Sequence, residues 1–499
     1  MRQITLYDVF QRNAEIFGNQ ISLVCNQKSY SNQDVLKQIK ALASGLTVNG
    51  IQKGDRIAVL AHNCHRFFLL FGAAAATGAI VVPINWRLSL EEIQHILSDC
   101  TPKMLCFDSH HASLVEKLAA GGYPGMLLGF HPDTGMTIDS LMDAAGPLTM
   151  AAVHTDDPFC IIYTAAVAGK TRGAVLSHGN IIYGNLQTIA TMGLSSQDAY
   201  LNMLPIFHIT GMNLSLSVMH AGGKNVIMDR FDARKTLENI DSESISVIGS
   251  FPPILSSLIS EMETGDFRLT SLRHVLGLDN PDTIKAFESK THAIFWTLYG
   301  QTETSGMVTF SPASERPGSA GKQGLLIRMR LVDELENPVP TGTSGEIVVQ
   351  GPLVFQGFWN QDEANRLTFR NSWHHTGDLG KLDAEGYLWF AGRKPEKELI
   401  KPGGENVYPA EVEQAILEHP SVDSVSVIGV PDPKFGEGIK AVCVLKPDKL
   451  ISAEDIMEFV ASRIARYKKP RYVQFVKSLP RTGTGAIDRV QVKALYGGS

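Results

Sequence analysis

The sequence predicts an α/β protein: a large N-terminal domain of parallel-sheet α/β subdomains with a small β-rich subdomain, followed by an α+β C-terminal domain. Three observations predict this fold. Helix and strand patterns alternate through the first third of the chain, and short β-like runs separated by glycine and proline fill the stretch near 320–390. Beyond a charged, turn-rich joint at 394–398, the helix and strand pattern begins again. A length of 499 residues also favours more than one domain.

Capping residues and hydrophobic periodicity predict the elements of the first third. Ser31 with Asp34 forms a capping box that opens a helix, and Ser89 with Glu92 opens a second one. The apolar stretch 67–84 approaches membrane-spanning length, but two glycines and a proline interrupt it. We therefore predict a buried helix followed by a buried strand there. Further strands are predicted over 56–61 and 103–108.

The later elements follow from the same signals. Apolar runs predict strands over 159–163 and 293–298, each leading into a loop of small and polar residues. In the C-terminal domain, helices are predicted near 410–418 and from 452 onwards, and strands near 422–430, 441–445 and 472–475.

Composition limits the possible partners. The formal net charge of −6 provides no broad basic field for nucleic acid or an anionic membrane, so neither nucleic-acid binding nor membrane insertion is expected. The six cysteines form no CxxC pair or metal-like cluster, which suits a reducing compartment. The N-terminal residues show no apolar signal segment. We expect a cytoplasmic protein, with a homodimer as an open possibility.

The loop at 163–173 has the character of a phosphate-binding loop. It follows an apolar strand and is rich in small residues, so that backbone N–H groups could approach phosphate oxygens. Gly169-Lys170-Thr171 invites comparison with a Walker A loop, but the first glycine of that motif would fall at Thr164, so the motif fails. An alanine-rich surface turn is the alternative interpretation of this loop alone.

Three further segments favour the phosphate-binding interpretation by their order and spacing. They are Tyr299-Gly300-Gln301-Thr302-Glu303-Thr304, His375-Thr376-Gly377-Asp378 with a turn-rich stretch ending at Arg393, and Gly403-Gly404-Glu405-Asn406-Val407-Tyr408-Pro409. Together they resemble the adenylate-forming superfamily that contains acyl-CoA synthetases, firefly luciferase and the adenylation domains of peptide synthetases. The resemblance covers essentially the whole chain. It implies an N-terminal AMP-binding domain over 1–397 and a mobile C-terminal domain over 398–499, with Glu398 at the hinge.

The resemblance implies an ATP site with Mg²⁺. Tyr299 would stack on adenine beside Gly300 and Gln301, Thr302 would contact the α-phosphate, and Glu303 would help to hold the metal. Asp378 would bind the ribose hydroxyls with support from Arg393. The residues implied for the phosphates are Thr164, Ala165, Ala166, Gly169, Lys170 and Arg172, and those for the adenine edge are Gly277, Leu278 and Asp279. Because alanines replace most hydroxyl donors of the phosphate loop, weaker ATP binding than in relatives is expected.

The same resemblance implies sites for the acid and the thiol. Phe207 and His208 would line the acyl pocket and the thiol channel, and the loop Gly403-Gly404-Glu405 would serve the thioester step. By position, Met212, Phe251 and Met307 are further acyl-pocket candidates. A structural role is the alternative for a lone buried histidine.

One position departs from the family pattern. The run Pro480-Arg481-Thr482-Gly483-Thr484-Gly485-Ala486-Ile487 matches the family except at Ala486, where relatives carry a catalytic lysine. A preorganised charge of that kind is commonly worth ~10²–10³ in rate. Either the chain is a natural inactive homologue or the lysine was replaced deliberately. The intact Thr302, Glu303, Asp378 and Arg393 favour the second explanation.

The implied function is an ATP-dependent carboxylic acid:CoA ligase. The acid would attack the α-phosphate of ATP to give acyl-AMP, and the thiol of coenzyme A would then displace AMP. The apolar pocket candidates favour a medium-chain, alicyclic or aromatic acid. Two alternatives stay open: an adenylation enzyme that loads a separate carrier protein, and a non-catalytic binder of acids or nucleotides. A luciferase-type oxygenation is the weakest alternative.

Overall fold

The computed structural model describes residues 4–131, 135–144, 146, 148, 150–164, 171–394, 399–482 and 487–498. Within these residues the chain forms four β-sheets with helices packed against them. The predicted fold class is confirmed: parallel α/β sheets, a small β-rich sheet and a C-terminal α+β unit follow one another along the chain. Among the helices of this described part, none is both long and apolar enough to cross a membrane.

The strands are named in chain order. They are β1 (Ile21–Cys25), β2 (Lys28–Ser31), β3 (Arg56–Leu60), β4 (Ile80–Pro83), β5 (Met104–Phe107), β6 (Met126–Gly129), β7 (Pro158–Thr164), β8 (Arg172–Ser177), β9 (Ala199–Asn202), β10 (Lys224–Ile227), β11 (Val247–Ser250), β12 (His274–Gly277), β13 (Ile294–Tyr299), β14 (Thr309–Pro312), β15 (Arg328–Val332), β16 (Ser344–Gln350), β17 (Gly357–Phe358), β18 (Phe369–Arg370), β19 (Trp373–Leu382), β20 (Leu388–Arg393), β21 (Val422–Asp432), β22 (Gly436–Leu445) and β23 (Tyr472–Phe475).

The helices are named in the same way. They are α1 (Leu6–Ile16), α2 (Asn32–Val48), α3 (His65–Thr77), α4 (Leu90–Cys100), α5 (Ala112–Ala120), α6 (Ile138–Asp143), α7 (His178–Met192), α8 (Ile209–His220), α9 (Ala233–Ser242), α10 (Ile254–Met262), α11 (Pro281–Thr291), α12 (Asp362–Thr368), α13 (Pro409–Leu417), α14 (Ala453–Arg463) and α15 (Arg489–Tyr496).

Both predicted capping boxes are present. The Ser31 side chain accepts the backbone N–H of Asp34 at the start of α2, and Ser89 accepts that of Glu92 at the start of α4. In each box the acidic side chain bonds back to the backbone N–H of the serine. These bonds satisfy donors that the first helical turn leaves unpaired, so the local sequence fixes both helix starts.

The apolar stretch 67–84 folds as predicted, into most of α3 followed by β4. Phe67 to Thr77 are buried throughout, because α3 is covered by α1, α2 and strands on all sides. The helix ends at Gly78, whose φ of 71° lies in the left-handed region that glycine adopts without a steric penalty. The chain turns there and enters β4, which is buried at every residue.

Two large sheets form the N-terminal part. One has the order β17-β8-β7-β4-β3-β5-β6 and the other the order β14-β13-β12-β11-β9-β10-β1-β2. Most neighbours are parallel, as predicted, but the pairs β1–β2, β8–β17, β13–β14 and β7–β8 are antiparallel. The last of these pairs flanks the predicted phosphate loop. The loop that joins these two strands is too short for a parallel crossover, which needs a dozen or more residues. Strands β7 and β8 therefore form the two arms of a hairpin, and residues 165–170 between them lie outside the described residues.

Two smaller sheets complete the fold. Strands β15, β16, β19 and β18 form an antiparallel sheet to which β20 adds by pairing with β19. In the C-terminal part, β21 pairs with β22 antiparallel and β22 pairs with β23 parallel, with α13 and α14 packed on them. This last sheet has its own apolar core, centred on Val412, Val427 and Ala441.

Candidate active site

The carboxyl ends of three neighbouring parallel strands lie side by side and carry predicted site residues. Strand β13 ends at Tyr299, β12 ends at Gly277, and β11 ends at Ser250 beside it. Leu278 donates its backbone N–H to the Ser250 carbonyl at 3.1 Å, and Asp279 follows directly. Burial raises the pKa of Asp279. Open α/β sheets bind ligands at this edge, so the strand order positions the residues predicted for adenine.

A hydrogen-bonded cluster joins β13 to the small β-rich sheet. The Tyr299 hydroxyl donates to Asp378 Oδ2 at 2.9 Å, and Gln301 Nε2 donates to the same oxygen at 2.5 Å. Arg393 pairs with Asp378 across β19 and β20, with its Nε 3.6 Å from Asp378 Oδ1. The cluster brings together four residues that the sequence predicts for adenine and ribose.

The cluster is largely shielded from water. Burial raises the pKa of Tyr299 well above its ordinary value, and the adjacent Asp378 carboxylate raises it further. The phenol therefore stays neutral and acts as a hydrogen-bond donor to the carboxylate. Gln301 Oε1 is buried without a hydrogen-bond partner among the described residues, so this cluster has one acceptor free to meet a ligand donor.

The phosphate-loop residues that the structure describes lie at the base of the β7–β8 hairpin. Thr164 and Arg172 are paired residues of the two strands, and the Arg172 guanidinium lies 5.8 Å from the centre of the Phe358 ring. Four predicted phosphate contacts lie outside the described residues: Ala165, Ala166, Gly169 and Lys170.

Glu303 is held close to this hairpin by backbone bonds. It lies in the short 3₁₀ turn Thr302–Thr304 that follows Gly300 and Gln301, and its side chain is buried. The Glu303 carbonyl accepts the backbone N–H of Phe355, and the next residue, Gln356, donates its own N–H to Val175 of β8. A buried carboxylate oxygen is the donor type that Mg²⁺ prefers, so Glu303 fits the role predicted for it with a magnesium–nucleotide ligand.

Four charged residues that the sequence predicts for the site lie around Tyr408. Burial raises the pKa of the Tyr408 phenol well above its ordinary value, and the charge of Glu303 raises it further. Arg393, Asp378 and Arg172 also act on the same phenol. Sequence reasoning assigned Tyr408 no role, although it lies within one of the motif segments. The four charged residues therefore surround one point of the fold.

The residues predicted for the acyl group lie around helix α8. His208 precedes the helix, and the Phe207 ring lies 4.5 Å from the His208 ring. Met212 is fully buried in the core that contains α3, whereas Met307 belongs to the apolar cluster on the other side of α8. Phe251 is partly buried and packs on that second cluster.

Two buried amides between α7 and α8 were not predicted. Asn213 follows Met212 and accepts a hydrogen bond from the Thr188 hydroxyl through Oδ1 at 3.1 Å. In the part of the chain that the structure describes, its Nδ2 has no partner, and neither has Nδ2 of Asn185. Both residues are fully buried. A polar residue on a mostly apolar helix was the available sequence signal.

The loop predicted for the thioester step lies against His208. Glu405 Oε2 is 3.2 Å from His208 Nε2, and its Oε1 accepts a hydrogen bond from Arg87 at 3.1 Å. Asn85 donates to Glu405 at 3.3 Å. Burial alone would raise the pKa of Glu405, but the charges of His208 and Arg87 outweigh it and hold that pKa below its ordinary value. The carboxylate is therefore ionised.

The two glycines before Glu405 are required by close packing. Gly404 has a φ of 88°, and a Cβ there would lie 3.3 Å from the Phe251 ring. Any side chain at this position would be strained and would push the loop away from the acyl-pocket candidate. The loop thereby connects Phe251 and His208, both of the N-terminal part, to the C-terminal sheet.

A second contact joins the two parts of the chain. Lys468 is almost fully buried and bonds to Glu92 of α4 and to Glu411 of α13, the latter at 2.5 Å. The Glu92 carboxylate also accepts the backbone N–H of Ala465 at 3.2 Å. Burial raises the pKa of Glu411 to about 7 against the opposing charge of Lys468, and Glu92 raises it further.

Two further predicted residues lie outside the described residues. They are Glu398, predicted for the hinge, and Ala486, at the lysine position. The flanks of the Ala486 loop are described: Arg481 and Ile487 form an antiparallel bridge, and Arg489 pairs with Glu413.

Two family profiles match this chain. The family described as AMP-binding enzyme matches residues 10–359, and the AMP-binding enzyme C-terminal domain matches residues 411–486. A feruloyl-CoA synthase of Amycolatopsis sp is 32% identical over 470 residues, covering 93% of each chain. An indoleacetate–CoA ligase of Aromatoleum aromaticum is 30% identical over 500 residues, covering 98% of each.

Solved structures of o-succinylbenzoate CoA synthetase from Bacillus subtilis are also similar. A double mutant bound with its product analogue OSB-NCoA is 28% identical, with 98% of each chain covered and a TM-score of 0.88. The complex of the same enzyme with AMP is 27% identical at the same coverage, with a TM-score of 0.72.

Proposed function

Because the chain belongs to the AMP-binding enzyme family and to its acyl- and aryl-CoA ligases, we propose that it joins a carboxylic acid to coenzyme A through an acyl-AMP intermediate. One observation carries the proposal. Tyr299, Gln301 and Asp378 form one buried cluster, and Asp378, Glu303 and Arg172 all act on the Tyr408 phenol.

In the proposed first step, an oxygen of the acid attacks the α-phosphorus of ATP and pyrophosphate leaves. Tyr299 covers adenine, Asp378 accepts hydrogen bonds from the ribose, and Thr302 donates to the α-phosphate. Thr164, Arg172 and the hairpin between them hold the outer phosphates. Mg²⁺ held by Glu303 would neutralise phosphate charge when bound. The interlocked hydrogen bonds of Tyr299 and Gln301 to Asp378 support these roles, because they fix the carboxylate before the ligand arrives.

In the proposed second step, the thiol sulfur attacks the acyl carbonyl carbon, the bond to the phosphate oxygen breaks, and AMP leaves. His208 and the loop Gly403-Gly404-Glu405 serve this step. Their direct contact supports the assignment. So does the higher TM-score with the OSB-NCoA complex than with the AMP complex of the same Bacillus subtilis enzyme. We infer that the arrangement described here is the one used with the thiol.

We further propose that the C-terminal domain, 398–499, rotates about Glu398 relative to domain 1–397 between the steps. Lys394, the first residue of the joint at 394–398, is held to the N-terminal part by a 2.6 Å ion pair with buried Glu346. A fixed residue at the start of the joint would confine rotation to the following few residues, as hinges require. In the first step the loop with Ala486 would replace the loop with Glu405.

The acid is proposed to have an aromatic, alicyclic or medium-chain body with a hydrogen-bond acceptor. Phe207, Met212, Phe251 and Met307 supply apolar surface, and the unpartnered amide of Asn213, which follows Met212 on α8, supplies a donor. Feruloyl-CoA synthase and indoleacetate–CoA ligase among the relatives act on aromatic acids by name. A panel of acids tests this: we expect acids with an acceptor on the ring to outperform their unsubstituted analogues, and the preference to vanish in Asn213→Leu.

We propose that Ala486 impairs the first step. Replacing Ala486 with lysine restores the positive charge that bridges the acid and the α-phosphate, so the Ala486→Lys variant should accelerate ATP–pyrophosphate exchange by ~10²–10³. The matched control is Thr484→Lys, which adds the same charge two residues away and should not accelerate exchange. Both Ala486→Lys and the unmodified chain should convert supplied acyl-AMP and coenzyme A to thioester at similar rates.

The outcomes distinguish the alternatives. Equal exchange rates for Ala486→Lys and the unmodified chain would contradict the role of position 486. If the Ala486→Lys variant forms acyl-AMP but transfers the acyl group only to a carrier protein, the assignment of coenzyme A as the acceptor is wrong. If it binds AMP and acids without turnover of either half-reaction, the chain is a binder and the ligase proposal fails.

A further inference from the structure

A cluster of histidine and aspartate side chains lies at the ends of two strands that the ligase reaction does not use. His62 follows β3, Asp108 follows β5, and His111 ends the short 3₁₀ turn Ser109–His111. Strands β3 and β5 are parallel neighbours, so their carboxyl ends bring His62 and Asp108 together. His62 Nδ1 lies 3.1 Å from Asp108 Oδ2, and His111 Nδ1 lies 2.5 Å from Asp108 Oδ1.

The donor set has the chemistry of a transition-metal site. Imidazole nitrogen and carboxylate oxygen are ordinary zinc ligands, at about 2.0–2.2 Å from the ion. The three donor atoms all lie within 4.8 Å of one another, so a single ion could contact them after small side-chain rotations. The residues are sheltered, since the side chain of Asp108 is 9% exposed, that of His111 10% and that of His62 17%.

Neighbouring groups hold these donors in place. The backbone N–H of His62 donates to Asp108 Oδ2 at 2.8 Å, which orients the carboxylate. The Trp86 ring packs 4.3 Å from the His62 ring, and the His110 ring lies 5.0 Å from it on another side. Ligands confined in this way lose little conformational freedom when they bind an ion.

The cluster also borders open space. A cavity of about 320 Å³ is lined by His62, Asp108, His110 and Cys64, together with residues from the ends of β1 and β10. Three protein ligands beside a cavity leave a coordination position for water or a small ligand, as in zinc sites that are not closed by a fourth side chain.

We propose that His62, Asp108 and His111 form a binding site for a zinc-class divalent transition ion, separate from the magnesium site at Glu303. In the metal-free form Asp108 accepts hydrogen bonds from both imidazoles. On binding, the ion takes the place of the proton at Nδ1 of each imidazole, each ring stays neutral with its one proton on Nε2, and the carboxylate becomes a metal ligand.

The test is titration of the full-length, metal-stripped protein with Co²⁺, whose visible absorption reports tetrahedral nitrogen and oxygen coordination, followed by competition with Zn²⁺. We expect one ion per chain, bound with at least 100-fold higher affinity than by His111→Gln or by Asp108→Asn. The control His154→Ala removes an exposed imidazole elsewhere and should bind as the unmodified chain does.

Thermal unfolding supplies an independent readout that does not depend on ligase activity. Zn²⁺ should raise the melting temperature of the unmodified chain and of His154→Ala, but not that of the two cluster variants, because only the native site binds the ion. Circular dichroism of the metal-free variants verifies that they fold. Equal Co²⁺ affinity in His111→Gln and the unmodified chain, or a spectrum of octahedral Co²⁺ alone, would overturn the proposal.

Discussion

The Tyr299 cluster (Tyr299, Gln301, Asp378 and Arg393) and the junction with the C-terminal part are built differently. The members of the Tyr299 cluster are joined by hydrogen bonds and an ion pair within the N-terminal part of the chain. At the junction, by contrast, Glu405 meets His208 and Arg87 from the other part, and Lys468 meets Glu92.

This difference indicates which contacts can change between the two proposed reaction steps. A cluster bonded within one rigid part keeps its geometry whatever the C-terminal part does. Contacts that cross the junction exist only in one domain orientation. Both junction contacts are charged, and charged side chains can be resolvated on separation, whereas a buried apolar seam would resist opening. We therefore expect cluster variants to damage both half-reactions and junction variants to damage one.

The largest effect is expected for Asp378→Asn. The amide keeps the shape of the side chain but removes the charge that accepts hydrogen bonds from Tyr299 and Gln301 and pairs with Arg393. A hydrogen bond to a charged group is worth about 1.5–3 kcal/mol, so each half-reaction should slow by roughly 10–150-fold. Single-turnover rates of acyl-AMP formation, in the Ala486→Lys background, and of thioester formation from supplied acyl-AMP measure this.

The control for that variant is Glu385→Gln, which alters a carboxylate between β19 and β20 that lies outside the cluster and is 61% exposed. It should leave both rates within about twofold, as expected for a surface substitution. If Asp378→Asn slows only one half-reaction, the cluster is not common to both steps.

A smaller and selective effect is expected for Glu405→Gln. The variant loses the charge that pairs with His208 and Arg87, so thioester formation should slow by about 10-fold, the equivalent of ~1.5 kcal/mol. Acyl-AMP formation should change by less than about twofold, because in that step the Glu405 loop is expected to have moved away. Measuring both half-reactions in the Ala486→Lys background separates the two.

Glu418→Gln is the matched control for Glu405→Gln. Glu418 lies at the end of α13, half-exposed, and pairs with Arg463 at 3.5 Å. Surface pairs of this kind contribute little, so neither half-reaction should change. Equal slowing of both half-reactions by Glu405→Gln would remove the distinction between cluster and junction.

The smallest effect is a pH dependence at Glu411. Its pKa is raised to about 7 in this arrangement, so the folded state holds a proton that the unfolded state releases near pH 4.5. Stability from this group is therefore present at low pH and is lost as pH rises through about 7. Glu411→Gln mimics the protonated form, so it should melt roughly 2 °C above the unmodified chain at pH 8 and level with it at about pH 4.

The contact with Lys468 supplies the check on this interpretation. In Glu92→Gln the neighbouring charge that helps to raise the Glu411 pKa is gone, so the difference between Glu411→Gln and its parent should shrink. If Glu411→Gln raises the melting temperature equally in the Glu92→Gln and unmodified backgrounds, then the Glu92 charge does not raise the pKa of Glu411.

Local patterns allowed much of the fold to be predicted. Ser31 and Ser89 determine helix starts through bonds to residues three positions away, and the period of apolar residues distinguishes α3 from β4. The antiparallel pairing of β7 with β8 was not predicted, because a run of apolar residues indicates a buried strand but not its direction relative to its neighbours. The roles predicted for Thr302, Tyr299 and Ala486 stay predictions, since they concern bound ligands.

The sequence by itself determined the fold class, the order of the motif segments and the family, because these depend on residues close together in the chain. Only the tertiary structure decided that Glu405 contacts His208 and that His62, Asp108 and His111 lie close together. It also decided that Asn213 Nδ2 has no partner among the described residues. Each of these depends on strand order or domain orientation. Packing of the whole chain sets those distances, and no local pattern encodes them.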